Sequence, residues 1–259
     1  VEAGQASQTA QRVAALRLTF ERVPASFGDA EADERLARDV AGSVTVDGTS
    51  GMARYLAART LFFDRVTVGA LERGIRQVVV AAAGYDGRPW RYAKPDVRWF
   101  EVDHPDTQRD KRARLATLGI DTPHVAFVAA DFTVDDVAEK LRAAGHDSDV
   151  ASLITVEGVA VYLELEVLES LLRQLRSVAA PRSRLVISLS VDTGDPTQAA
   201  RRTAFQSRVA AMGEPARTVL TVEGAAALFA TTGWQVADSP ANSDRARGAG
   251  LVIVEPALR

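Results

Sequence analysis

The run Gln77-Val78-Val79-Val80-Ala81-Ala82-Ala83 carries no charge and breaks off at Gly84, and that break constrains the fold more than any other feature. Seven residues are too few to span a bilayer and long enough for a strand covered on both faces. Gly84 lets the backbone bend and approach a neighbour closely, and Asp86-Gly87-Arg88 then opens a short helix. A second apolar strand follows, Val97-Arg98-Trp99-Phe100-Glu101-Val102-Asp103, and ends on a carboxylate. Strand, tight turn, helix and strand in that order predict a parallel sheet with helices on both faces.

The alternation continues along the chain. Strands are predicted at 77–83, 98–103, 124–128, 150–156 and 183–190, with helices at 86–93, 106–118, 134–144, 164–179 and 197–212 between and after them. A helix at 221–231 and strands at 234–238 and 250–254 close it. With no helix expected between the last two strands, they should pair antiparallel. The pattern describes an α/β, doubly wound, seven-stranded sheet with an antiparallel edge strand. Ahead of it, residues 6–22, 30–40 and 52–73 read as helices, the third with Leu56, Leu61, Phe62, Val66 and Leu71 as its apolar stripe. Residues 1–75 are therefore expected to form a helical N-terminal lid over the strand ends, and 76–259 the ligand-binding core.

Composition narrows the chemistry. The 259 residues include no cysteine, which excludes disulfides, thiolate metal sites and a cysteine nucleophile. His104, His124 and His146 are the only histidines and none pairs at i, i+4, so no metal site is expected. A formal charge of -3, from 31 basic and 34 acidic residues, gives no electrostatic reason for nucleic acid or an anionic membrane as a partner. No transmembrane run or secretory layout is visible, and a cytoplasmic location is expected. A small molecule is the expected partner; oligomeric state leaves no signal.

In open α/β sheets ligands bind outside the C-terminal ends of the strands. Gly84 lies at such an end, but Ala82-Ala83-Gly84-Tyr85-Asp86-Gly87 lacks the three spaced glycines of a dinucleotide grip. Glu101 and Asp103 lie two apart on one strand and therefore on one side. They can accept from ribose hydroxyls, or Asp103 can cap the next helix. Asp131-Phe132, after the third strand, can meet an exocyclic amine and a base, or Asp131 can serve as a cap. Glu157 ends an apolar strand, where an unpaired acid is seldom tolerated, and Tyr162 behind it lines a site or sits in the core. Arg54 and Arg59 lie on the helix before the sheet, and an arginine fork suits a carboxylate.

Together these stretches resemble the leucine carboxyl methyltransferase family, in particular its bacterial S-adenosylmethionine-dependent O-methyltransferases of the tetracenomycin polyketide type. The resemblance is carried by Ala58-Arg59-Thr60-Leu61-Phe62-Phe63-Asp64 and by residues 74–88. It continues through Phe100-Glu101-Val102-Asp103-His104-Pro105, Lys111, Val156-Glu157-Gly158-Val159 and Tyr162-Leu163. It implies a class I methyltransferase (Rossmann-like) sheet and S-adenosyl-L-methionine as cofactor. By that resemblance Arg59 binds the methionine carboxylate, Ala82 and Gly84 lie under that moiety, Asp103 holds the ribose, Asp131 and Phe132 hold the adenine, and Glu157 faces the amino group. The chain departs from the family in two places. Ala81-Ala82-Ala83-Gly84 stands for the usual Leu-Gly-Ala-Gly, and Phe27-Gly28-Asp29-Ala30-Glu31 lacks the usual Asp-Pro.

The implied activity is methyl transfer to a carboxylate or hydroxyl of a small molecule, a secondary metabolite by the same analogy. No catalytic base is evident; Tyr162, Glu157 and Arg12 are the unassigned candidates around the acceptor. Two other readings use the same fold: a nicotinamide-dependent oxidoreductase, disfavoured by the missing glycines, and a non-catalytic partner protein, kept open by the altered turn.

Overall fold

A computed structural model describes residues 7–42, 44–210 and 213–257. They fall into two compact units that divide between Ala129 and Ala130.

The first unit holds three parallel strands, β1 (Gln77–Ala81), β2 (Arg98–Asp103) and β3 (Val125–Ala129), in the order β3-β2-β1. Register pairs Val79 with Phe100 and Glu101 with Phe127. Every residue of β1 is buried, as its unbroken apolar run requires, whereas β3 ends exposed at Ala129. The helices are α1 (Gln8–Arg17), α2 (Ala30–Ala41), α3 (Gly51–Glu72), α4 (Arg88–Arg91) and α5 (Pro105–Thr117). Their starts follow from side-chain caps: Ser7, Asp29 and Ser50 each accept from a backbone N–H three residues on. Asp29 supplies the start of α2 without the Asp-Pro of the family pattern. Its own N–H reaches Trp90 O at 2.8 Å, which ties α2 to α4.

Two expectations need correction here. Helix α1 stops at Arg17, so Phe20 lies beyond it. The buried face of α3 runs through Leu56, Thr60, Phe63, Thr67 and Leu71, while Leu61 and Val66 are only half-buried. The inward phase is set by Phe63, which is fully buried, and it carries Arg59 and Asp64 inward with it.

The second unit contains β4 (Ser152–Val156), β5 (Arg184–Ser188), β8 (Trp234–Val236) and β9 (Leu251–Pro256) in the order β4-β5-β9-β8. Strands β4 and β5 are parallel; β9 runs antiparallel to both β5 and β8. Antiparallel pairing at this edge of the sheet is thus as expected, with β9 as the reversed strand and β8 outside it. A short helix, α10 (Asp244–Gly248), nevertheless interrupts the connection that was expected to be helix-free. The remaining helices are α6 (Val137–Ala143), α7 (Leu165–Ser177), α8 (Pro196–Ala210) and α9 (Val222–Thr231). Two further strands, β6 (Val191–Asp192) and β7 (Leu220–Thr221), form a small parallel pair that the sequence does not signal. At two residues each, they are too short to carry periodicity. Helix α6 starts three residues later than expected, because Asp136 rather than an earlier residue caps it. Residues 6, 211 and 212, at the ends of predicted helices, lie outside the described residues. No described helix is long and apolar enough to cross a membrane.

Candidate functional site

The turn after β1 is the centre of the first unit. Ala82 adopts φ +57° and Gly84 φ +49°. The left-handed region costs an L-residue with a Cβ roughly 1–2 kcal/mol, so Ala82 holds a strained conformation where the family pattern has glycine. Ala82→Gly is accordingly expected to raise the unfolding free energy by about 1 kcal/mol, after the entropy that glycine loses. Urea unfolding reads this directly, and an equal or lower stability would show that the turn carries no strain. Gly84 is hemmed in as well: a Cβ there would lie 3.0 Å from the Ala10 Cβ of α1.

Asp103, at the tip of β2, reaches this turn. One carboxylate oxygen accepts the Gly84 N–H, and the other accepts the His104 N–H at 2.6 Å. Burial raises its pKa, and the two backbone donors oppose that shift. Asp103 is not the cap of α5. That position belongs to His104, whose Nδ1 accepts from the Asp106 N–H at 3.3 Å, with Pro105 in the first turn behind it.

Glu101 does not reach a cleft, contrary to expectation. It is fully buried, and both its oxygens accept from Lys111 Nζ, at 2.7 and 2.8 Å. Burial pushes Glu101 up to about 7, with the lysine opposing. The alternation rule places Glu101 and Asp103 on one side of β2. Their separation along the strand decides the rest: Asp103 is at the rim, and Glu101 lies under α5.

Beneath the turn lies a chain of buried ions. Asp86 accepts from Arg88 Nη1 at 2.6 Å and faces Arg17 of α1 at 3.6 Å. Arg88 Nε donates to Asp64 at 2.7 Å and its Nη2 to Thr60 O at 3.2 Å. Asp64 also takes a two-pronged contact from Arg22, at 2.6 and 2.9 Å, and Arg22 continues to Asp33 at 3.2 Å. Asp33 in turn accepts from Arg91. Burial alone would raise the pKa of Asp86, but Arg17 and Arg88 hold it far below the usual carboxylate range. Gly87 is obligatory in this packing, since a Cβ there would fall 1.8 Å from an Asp33 oxygen. The sequence places Asp64, Asp86 and Arg88 within family-like stretches but marks none of these ions as part of a site. The available signal was a charge in the inward phase of a helix, as at Asp64 between Phe63 and Thr67.

The other predicted residues are placed as follows. Arg59 is buried on α3, its guanidinium 6.0 Å from the Tyr55 ring. Arg54 is exposed and donates to Thr49 O at 3.0 Å. In the second unit, Asp131 builds a local turn, accepting from Thr133 N and Oγ1 at 2.9 and 2.7 Å, with Phe132 half-buried beside it. Neither residue caps α6. Glu157 is half-buried just past β4, and the next N–H, of Gly158, donates to Ser188 Oγ at 2.8 Å. Tyr162 ends a single 3-10 turn (Ala160–Tyr162), and its ring lies 6.4 Å from that of Phe205 on α8. The backbone N–H groups of Arg217 and Thr218 hold this turn at Val161 O, at 2.7 and 3.2 Å.

The family model for leucine carboxyl methyltransferase matches residues 7–176. Two relatives are each named "Putative S-adenosyl-L-methionine-dependent methyltransferase". That of Mycobacterium marinum is 39% identical over 163 residues, covering 60% of this chain and 54% of the relative. That of Parafrankia is 41% identical over 139 residues, covering 52% and 44%. The chain thus spans about half the length of the curated relatives it matches. Among solved structures, a Thermobifida fusca protein aligns with TM-score 0.63 at 20% identity, over 99% of this chain and 97% of that one. A DUF574 family protein from Streptomyces avermitilis aligns with TM-score 0.62 at 18% identity, over 97% and 98%. At these identities the likeness shows the fold: α/β, of the class I methyltransferase type, with seven main strands and an antiparallel edge.

Proposed function

Because the chain belongs to the leucine carboxyl methyltransferase family, we propose that it binds S-adenosyl-L-methionine and methylates an oxygen of a small molecule. The acceptor oxygen is that of a carboxylate or a hydroxyl, and a secondary metabolite of polyketide type is the acceptor class in view. The observation that carries this reading is the bridge from the Asp103 carboxylate to the Gly84 N–H across the β1 turn. It sets a strand-tip acid beside a glycine turn, the arrangement used for adenosyl groups in open α/β sheets.

The residues present fit such a donor. An ionised carboxylate offers about four acceptor positions. The Gly84 and His104 N–H groups take one on each oxygen of Asp103, which leaves one on each for a ribose diol. Arg59 would hold the methionine carboxylate, the Ala82 and Gly84 backbone would pass beneath that moiety, Asp131 and Phe132 would meet the adenine, and Glu157 would face the amino group. Residues 1–75 would serve as lid and 76–259 as core. When bound, the sulfonium supplies an activated methyl group and departs neutral. The chain's own task is then mainly to orient and to exclude water.

A carboxylate acceptor is already ionised, whereas a hydroxyl needs a base. Each of the three histidines already has a bond of its own. His104 caps α5, His124 bonds Pro89 O at 2.9 Å, and His146 bonds Ser152 Oγ at 3.0 Å. Burial lowers His146 to about 4. This favours carboxyl methylation, with Tyr162 and Glu157 as candidates beside the acceptor. Calorimetric titration with S-adenosylhomocysteine tests donor binding. Mass spectrometry of reactions with a panel of carboxylic and phenolic metabolites tests transfer, and mild alkali cleaves a methyl ester but not an aryl ether. Failure to bind the donor product at millimolar concentration would overturn the proposal and leave a non-catalytic protein with this fold.

A further inference from the structure

We propose that Lys111 is a positioning residue for the donor turn: its ammonium, neutralised by Glu101, grips the Asp86 carbonyl and so fixes the turn that presents Gly84 to Asp103. The inference rests on the donor reading above and extends it to a residue that touches no ligand.

Lys111 and Glu101 are 1% and 0% exposed. An ammonium has three N–H donors. Here Nζ meets three oxygens, Glu101 Oε1 at 2.7 Å, Glu101 Oε2 at 2.8 Å and the Asp86 carbonyl at 2.8 Å. The Trp90 ring lies 5.3 Å from Nζ, so the cation is enclosed. Stability does not account for such a pair, because apolar side chains of similar volume in the same space commonly serve as well or better. An apolar pair cannot donate to a main-chain carbonyl, and it also lacks the cation whose charge favours the ionised forms of Asp86 and Asp103.

That carbonyl belongs to the turn itself. Asp86 N–H donates to Ala83 O at 2.8 Å, and Ala83 N–H donates to Val102 O of β2 at 3.3 Å. Gly84 N–H goes to Asp103. The turn is therefore fastened to β2 at Ala83 and Gly84, and at its far end Lys111 holds the main-chain carbonyl while Arg88 and Arg17 hold the side chain. The Asp86 side chain cannot substitute, being occupied by Arg88 and Arg17. The base of the clamp is itself fixed, since Gln108 Nε2 of α5 donates to Glu101 O at 3.2 Å. Without Lys111 the Asp86 carbonyl loses its side-chain donor, and the turn that aims the Gly84 N–H loses that attachment.

The test compares three proteins by S-adenosylhomocysteine titration, thermal unfolding and amide hydrogen exchange. The apolar double variant E101L/K111M is expected to stay folded with a midpoint near that of the wild type. It should bind the probe at least tenfold more weakly and exchange faster at residues 83–87. The variant E101D/K111R keeps the charges, the summed length and a donor toward the Asp86 carbonyl, and it is expected to return the affinity to within threefold. Wild-type affinity in folded E101L/K111M overturns the inference, and so does failure of folded E101D/K111R to restore it. Should E101L/K111M not fold, E101Q/K111Q carries the same reading, with wild-type affinity again overturning it. A wild-type protein that itself fails to bind the probe sinks the donor reading instead, a result separable from either of these.

Discussion

Replacing Arg88 by methionine is expected to cost about 3–5 kcal/mol of folding free energy, the range for removing one partner from a buried ion pair. The side chain is 1% exposed and donates to Asp64, Asp86 and Thr60 O. Methionine fills much of the volume but leaves two buried carboxylates each short of a guanidinium. Arg38→Met is the contrasting control. Its partner Glu34 is 2.7 Å away, but both side chains are largely exposed, and such pairs contribute at most about 1 kcal/mol. Chemical denaturation of the two variants should separate them clearly; equal midpoints would show that the buried network contributes no more than a surface pair. The network also sets an acid limit. Burial would raise Asp64, but Arg88 and Arg22 hold it down to about 2, below its ordinary 3.8. A carboxyl group whose pKa is lower in the folded state stabilises above the ordinary value, and that contribution disappears as pH falls from about 4 toward 2. Stability measured across that window should decline in the wild type and decline less in Arg88→Met, where one of the two guanidinium groups is gone.

Asp103→Ala should weaken binding of S-adenosylhomocysteine at least tenfold, about 1.4 kcal/mol. Among the described residues of the first unit, this carboxylate is the strand-tip acid that reaches the turn after β1, because Glu101 is committed to Lys111. Alanine removes the acceptor proposed for a ribose and also the acceptor of the Gly84 and His104 N–H groups. Part of the loss will therefore appear as instability. Asp103→Asn helps to divide the two effects, since its single oxygen can still take one of those donors. Calorimetry beside a thermal midpoint reads both quantities. A folded Asp103→Ala protein with unchanged affinity would remove Asp103 from the donor site.

The residues divide by how far away their partners lie. Strand β2 was legible at its full span, 98–103, because five of its six residues lie inward or partly inward and the chain spells this in Trp99, Phe100 and Val102. Helix α2 was legible as a segment, 30–40 against the observed Ala30–Ala41, while its Asp29 cap emerged only in the structure. The nearness of Gly84 and Asp103 was legible too, since a parallel β-α-β unit brings the first turn and the second strand tip together. Glu101 was misread because its partner, Lys111, lies one helix away, and nothing in β2 announces it. The same holds for Asp64, whose two arginines lie 42 and 24 residues distant.

The amino-acid order by itself determined the seven main strands and the longer helices, and at which strand tips the acids sit. Those properties arise from apolar periodicity, capping and turn chemistry within a few residues. Tertiary structure alone decided which acid faces the turn and which is neutralised under it. It also decided that Ala82 must adopt a positive φ and that a chain of arginines and aspartates supports the turn from beneath. These depend on burial and on charges brought together from distant parts of the chain, and the cost of an unpaired ion away from water selects among arrangements that local sequence leaves equal.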